Sequence, residues 1–131
     1  MTAYLLDTDW IIDFLAGRRE AVRVISELAP AGLAASVVTY AELCEGVMGS
    51  SCRAEDLVRL EDFVAGVEIL DVDVLIARIF GERRSQLRAQ GLLIDNFDLL
   101  IAATCLRFDL TLVTRNVRDF QRIEGLQVYR T

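Results

Sequence analysis

Short apolar runs alternate along this chain with longer segments of helical period, and that alternation narrows its fold more than any other feature. Tyr4-Leu5-Leu6 ends abruptly at Asp7, and comparable runs recur at 33–35, 67–70, 110–113 and 126–129. Each is too short for a stable helix and reads as a buried strand. Between them, apolar residues return at helical spacing. Ala21, Val24, Ile25 and Leu28 mark a helix over 20–28, which Ala29-Pro30-Ala31-Gly32 stops. Further helices are predicted over 10–15 (closed by Gly17), from a cap at Ser36 or Thr39 to about 47, and over 54–65, 73–90, 98–108 and 116–121. Residues 46–51 read as a turn. The segment 98–108 is apolar nearly all round, as a central buried helix is. Antiparallel strands can be joined by two residues, but parallel ones need a crossover of a dozen or more. The pattern therefore predicts an α/β fold: a parallel sheet of about five strands flanked by helices on both faces. No repeat and no linker divides the sequence, so residues 1–131 are read as a single domain.

Composition removes whole classes of chemistry. All 14 cationic side chains are arginine, because the sequence has neither lysine nor histidine. No imidazole can act as general base, which excludes Ser-His-Asp and Cys-His mechanisms. A P-loop lysine, a Schiff-base lysine and a histidine-ligated zinc site are excluded as well. The three cysteines, Cys44, Cys52 and Cys105, form no CxxC pair and read as small buried apolar residues of a reduced protein. The N-terminal residues show no signal-peptide pattern, and the longest apolar run, 99–103, is too short to span a bilayer. A soluble, cytoplasmic protein with no membrane partner is expected. The net charge of −6 argues against non-specific coating of nucleic acid. It leaves room for a nucleic-acid enzyme whose carboxylates bind a divalent metal.

Most of the 20 acids suit solvated helix faces, among them Glu20, Glu27, Glu55, Glu61 and Glu82. Four do not. Asp7 directly follows a strand, where parallel α/β sheets bind ligands, although it could equally cap the next helix; Asp9 is the better cap candidate. Glu42 lies inside a helix among Ala41, Leu43 and Cys44, and alone reads as an exposed position. Asp98 heads the most apolar helix, as an N-cap or as a buried acid in need of a partner. Asp119 follows another strand end, or is simply a first-turn acid. Together they suggest a carboxylate cluster at one sheet edge. With no lysine or histidine to neutralise it, Mg²⁺ or Mn²⁺ is the natural counterion.

Four segments carrying these acids occur in an order that resembles a known family. They are Leu5-Leu6-Asp7-Thr8-Asp9, Thr39-Tyr40-Ala41-Glu42-Leu43, Asp98-Leu99-Leu100-Ile101-Ala102-Ala103-Thr104 and Leu112-Val113-Thr114-Arg115-Asn116-Val117-Arg118-Asp119-Phe120. They resemble the successive motifs of PIN domains, specifically the VapC toxins of bacterial and archaeal toxin–antitoxin pairs, and the match runs the whole chain. The resemblance implies a metal-dependent endoribonuclease in which an activated water cuts RNA to leave 5′-phosphate and 3′-hydroxyl ends. It also implies a homodimer, and a VapB-type antitoxin whose tail covers the site. By position, Asp7, Glu42 and Asp98 match the three core acids and Asp119 the more variable fourth. Thr8 and Thr114 match hydroxyl positions beside the metal, and Asn116 a polar position there. Asp9 stands where the family usually has Asn or Ser, and Asp95 where Gly, Ala or Pro is common. Asp98 is taken as the ligand because it directly precedes Leu99-Leu100-Ile101-Ala102-Ala103.

Arg115 and Arg118 lie beside this site, and Arg83, Arg84 and Arg88 form a basic helix face. Either group is placed to guide an RNA backbone, although the second reads more readily as ordinary solvated helix charge. Two rivals remain at this level. A haloacid-dehalogenase-like phosphatase would use Asp7 and Asp9 as nucleophile and acid, but lacks its usual lysine here. A catalytically silent PIN module would only bind RNA or protein, yet would gain nothing from four clustered acids.

Overall fold

The computed structural model describes residues 2–130. In chain order the elements are β1 (Tyr4–Leu6), α1 (Thr8–Leu15), α2 (Arg19–Leu28), β2 (Leu33–Ser36), α3 (Val37–Met48), α4 (Arg53–Val64), β3 (Glu68–Leu70), α5 (Val74–Gln90), α6 (Asn96–Phe108), β4 (Thr111–Val113) and α7 (Val117–Phe120), with a 3₁₀ turn at Ala29–Ala31. The strands form one parallel sheet in the order β3-β2-β1-β4. The chain moves to one side of β1 to make β2 and β3, then returns to its other side for β4. That reversal sets a topological switch point at the carboxyl end of β1, directly before Asp7.

Register and pleat divide the core in two. Leu5 stands beside Ala34 and Leu112, and all three point to the face covered by α5 and α6, against Leu87, Leu99, Ile101 and Phe120. Leu6, Leu33, Ala35 and Val113 point to the opposite face, against Trp10, Ile11, Val24, Ile25, Leu43 and Leu60 of α1 to α4. This is the period-two alternation of a sheet covered on both sides. Each fully buried leucine or isoleucine contributes roughly 1.5–3 kcal/mol over its exposed state. Among the described residues, no helix is long and apolar enough to cross a membrane.

The sheet has four strands, not about five. Residues 126–129 make a single parallel bridge, Leu112 with Val128, through bonds from Leu112 N to Gln127 O (2.9 Å) and from Tyr129 N to Leu112 O (2.8 Å). Gly125, at φ 86°, turns the chain alongside β4 for one residue pair, too short a stretch for a ladder. Two helix starts also differ. The helix read from 98 begins at Asn96, and Asp95 is its N-cap, accepting from Phe97 N and Asp98 N. Asp7, rather than Asp9, caps α1. Only Cys105 is a buried cysteine; Cys44 is half-buried and Cys52 exposed.

Candidate active site

The ends of β1 and β4 and the helices α1, α3, α6 and α7 bring the site together. Asp7 leaves β1 and caps α1: its Oδ1 accepts from Thr8 N at 2.8 Å. Its Oδ2 accepts from the Thr114 hydroxyl at the end of β4, at 2.7 Å. Capping and site membership thus fall on the same carboxylate. Asp7 is only 8% exposed, and burial holds its pKa above the usual carboxylate range despite those two donors; nearby Asp9 adds to the rise.

Glu42 projects from α3, which starts at the end of β2 where Ser36 Oγ accepts from Val38 N. The Thr8 hydroxyl lies 2.7 Å from Glu42 Oε1 and 3.1 Å from the buried Thr39 hydroxyl. One proton serves one acceptor. The carboxylate is the stronger one, so Thr8 donates to Glu42 and Thr39 can donate to Thr8. Asp98 occupies the first turn of α6, one turn past its cap, so its side chain is free of capping duty. Its pKa is pushed up to about 6, first by burial and then by the charges of Asp7, Asp95, Glu42 and Asp119. Asp119, on α7, joins through Asn116, whose Nδ2 donates to Asp119 Oδ2 at 3.0 Å and reaches Asp98 Oδ2 at 3.5 Å.

A cleft of about 560 Å³ opens over these groups, lined by Asp7, Thr8, Asp9, Ile12, Glu42, Glu45, Gly46, Asp98 and Asn116. Five carboxylates and no cationic side chain line it. Among the described residues, no three acids are drawn tightly enough to enclose an ion as they stand. Uncompensated like charges would stand apart in this way. The donor set fits a hard divalent cation. It is oxygen throughout, two hydroxyls orient the carboxylates, and burial pushes up the pKa of the Cys105 thiol. Asp7, Glu42 and Asp98 would hold such an ion, with Asp119 at the margin.

The remaining candidates fall at and around the cleft. Asp9 is exposed at the cleft mouth. Asp95 is committed to two backbone amides. Arg118 is exposed, whereas Arg115 turns away from the cleft. Its Nε and Nη2 donate to Asp13 Oδ2 (3.2 and 2.9 Å) and its Nη1 to Glu20 Oε1 (2.9 Å). Its guanidinium also covers the Trp10 ring at 4.2 Å. Glu20 is therefore an ion-pair partner and not only a solvated charge. Glu45 went unrecognised in the sequence, although its spacing of three from Glu42 in one helix is the signal that places both on one face. Thr39, in sequence a possible cap and the head of the Glu42 segment, joins the site through its hydroxyl, 3.1 Å from that of Thr8.

The chain belongs to the PIN domain family, whose model matches residues 4–126. Similar relatives include Ribonuclease VapC1 of Haemophilus influenzae (strain R2866), 36% identical over 126 residues, which are 95% of this chain and 94% of the relative. The tRNA(fMet)-specific endonuclease VapC of Shigella flexneri is 32% identical over 127 residues, 97% of this chain and 96% of that one. Among solved structures, VapBC2 from Rickettsia felis, bound to a DNA fragment from their promoter, matches with a TM-score of 0.90 at 31% identity over 98% of both chains.

Proposed function

We propose that the protein is a VapC-type toxin: a single-domain, divalent-metal-dependent endoribonuclease held inactive by a VapB-type antitoxin. The observation that carries this reading is the cleft at the switch point, lined by five carboxylates and no cation. Such a site is unfavourable until positive charge enters it. Asp7, Glu42 and Asp98 hold Mg²⁺ or Mn²⁺, and Asp119 assists through Asn116. Thr114 and Thr8 fix the rotamers of Asp7 and Glu42 by donating to them. A bound divalent cation supplies charge stabilisation at the phosphate and lowers the pKa of the attacking water. The carboxylates would orient the attacking water for in-line approach to the phosphate. Attack of the water on phosphorus with cleavage of the P–O3′ bond, the 3′-oxygen leaving as a hydroxyl, would give the 5′-phosphate and 3′-hydroxyl ends that the family resemblance implies, and it needs no histidine.

Similarity to a ribonuclease and to a tRNA(fMet)-specific endonuclease makes RNA the substrate to test, transfer RNA first. A mostly apolar groove lined by Ile12, Leu15, Ala16, Leu43, Gly46 and Val47, together with the charged Glu42, Asp56 and Arg59, supports the antitoxin reading. It shares Ile12, Glu42 and Gly46 with the acidic cleft, so a segment seated in it would reach the acids. A homodimer completes the reading. Family membership and the missing lysine disfavour a haloacid-dehalogenase-like phosphatase, and the acid set disfavours a silent module.

The test is incubation of purified protein with total RNA and Mg²⁺ or Mn²⁺, followed by end-mapping. Cuts bearing 5′-phosphates that disappear on chelation are expected. Intact RNA under every metal condition would overturn the proposal.

A further inference from the structure

Arg115 sits between two residues of the acidic site yet takes no part in lining its cleft. Thr114, before it, donates to Asp7; Asn116, after it, donates to Asp119 and reaches Asp98. All three lie on the short connection between β4 and α7, where Asn116 N donates to Thr114 Oγ1 at 3.0 Å. Asn116 precedes α7 but its side chain makes no capping bond. Its amide is spent on the acids instead, and capping therefore does not fix its direction.

The Arg115 side chain reaches the other way, to α1 and α2. Asp13 and Trp10 belong to α1, the helix capped by Asp7, and Glu20 lies in the first turn of α2. Trp10 is 3% exposed, so the ring under the guanidinium is itself fixed. The β4–α7 connection is thus attached to α1 twice: through Thr114 to Asp7 inside the site, and through Arg115 to Asp13 and Trp10 outside it. The β4 ladder on β1 and the bond from Asp7 N to Val113 O (2.9 Å) already set the position of the connection; the outer attachment resists its swing about that seam. Without a cation, repulsion among Asp7, Asp98 and Asp119 pushes toward such a swing. Two acids already neutralise Arg115, which suits it poorly to a phosphate and well to a brace.

We propose that Arg115 is a positioning residue for the metal-binding acids, not an RNA contact: its clamp on Asp13, Glu20 and Trp10 holds Thr114 and Asn116 where they orient Asp7, Asp98 and Asp119. The inference rests on the reading of the cleft as a divalent-metal site. It assigns a role to Asp13, Glu20 and Trp10, which lie outside the acid set.

Trp10 is the sole tryptophan, so its emission reports the clamp directly. The experiment compares wild type, Arg115→Ala, Arg115→Lys and Glu20→Gln by Mn²⁺ calorimetry, acrylamide quenching of Trp10 and steady-state RNA cleavage. Removing the guanidinium is expected to raise quenching in metal-free protein. Mn²⁺ affinity should fall about tenfold, as when a group orienting a metal ligand is lost. kcat should fall with it, while KM for RNA stays within about twofold. Lysine, which lacks the planar fork, should restore less than half of the affinity. Glu20→Gln is the milder variant should Arg115→Ala fail to fold; about a threefold loss of affinity is expected there. Unchanged Mn²⁺ affinity in these variants would overturn the inference. So would a raised KM with kcat intact, which marks a substrate contact. Wild-type protein that binds no Mn²⁺ would instead overturn the metal-site reading on which the inference stands.

Discussion

Asp7 and Asp98 have opposite kinds of support, and that difference decides how each responds to substitution. Two donors hold Asp7, and burial still raises its pKa. Asp7→Asn keeps one acceptor, for Thr8 N, turns its amide nitrogen to donate to the Thr114 hydroxyl, and removes a poorly solvated charge. Cleavage should fall by at least ~100-fold, while the melting temperature of the metal-free protein stays level or rises; RNA cleavage assays and calorimetry of the purified variant check both. Asp98 titrates at about 6 in the fold against 3.8 for the free group. The folded state therefore holds this proton more tightly than the unfolded chain. Stability it contributes is full below pH 3.8 and lost as pH rises through about 6. The loss is on the order of 1 kcal/mol, since Asp98 is half-exposed and screened. Metal-free unfolding curves should weaken across that window, and Asp98→Asn should flatten the dependence. Divalent-cation affinity should run the other way and rise with pH, because the ion competes with the proton. Both acids could be picked out in the sequence, from a strand end and from a polar residue heading an apolar helix. The Arg115 clamp could not: its partners Asp13 and Glu20 lie about a hundred residues away in sequence, and no local pattern encodes a contact of that range.

At the scale of elements, α6 shows how two nearby acids divide their work. Asp95 caps the helix and Asp98 faces the cleft. Asp95→Ala should cost about 1 kcal/mol of stability, the usual loss of an N-cap, with cleavage kept within a few-fold. Asp98→Ala should abolish cleavage and leave stability level or improved. Denaturant melts and cleavage rates on the same two proteins give the answer, and the reverse pattern would move the ligand to Asp95. The sequence showed that a helix existed here but not where it began, because Asp95 and Asp98 are both acceptable caps and periodicity says little about ends. The same limit explains the missing fifth strand. Leu126 and Val128 alternate as a strand should and do pack on the core, but only a bridge forms. Burial pattern follows packing, whereas a ladder needs consecutive backbone partners. The other strands were legible because their apolar runs are bounded by turns and lie between helices of clear period.

For the whole molecule, the apolar content that the sheet and helices bury is not all of it. Met48, Leu57 and Val58 leave large apolar area exposed on α3 and α4. Light scattering should give twice the chain mass at micromolar concentration, and Leu57→Glu with Val58→Glu should return the protein to monomer without unfolding it. The order β3-β2-β1-β4 has a consequence for synthesis. The first strand pairs with the last, Leu5 with Leu112 and Leu6 with Val113, and the Asp7–Thr114 bond closes the same seam. While the ribosome is still making the chain, β1 and β2 can meet early, but the partner on the far side of β1 does not yet exist. Asp98 is made shortly before that partner strand, and Thr114 and Asn116 directly after it. A half-translated or truncated chain therefore has Asp7 and Glu42 but no assembled cleft. Topology alone delays any hydrolytic power until nearly all of these residues have left the exit tunnel, which gives a partner protein time to be present when the cleft first closes.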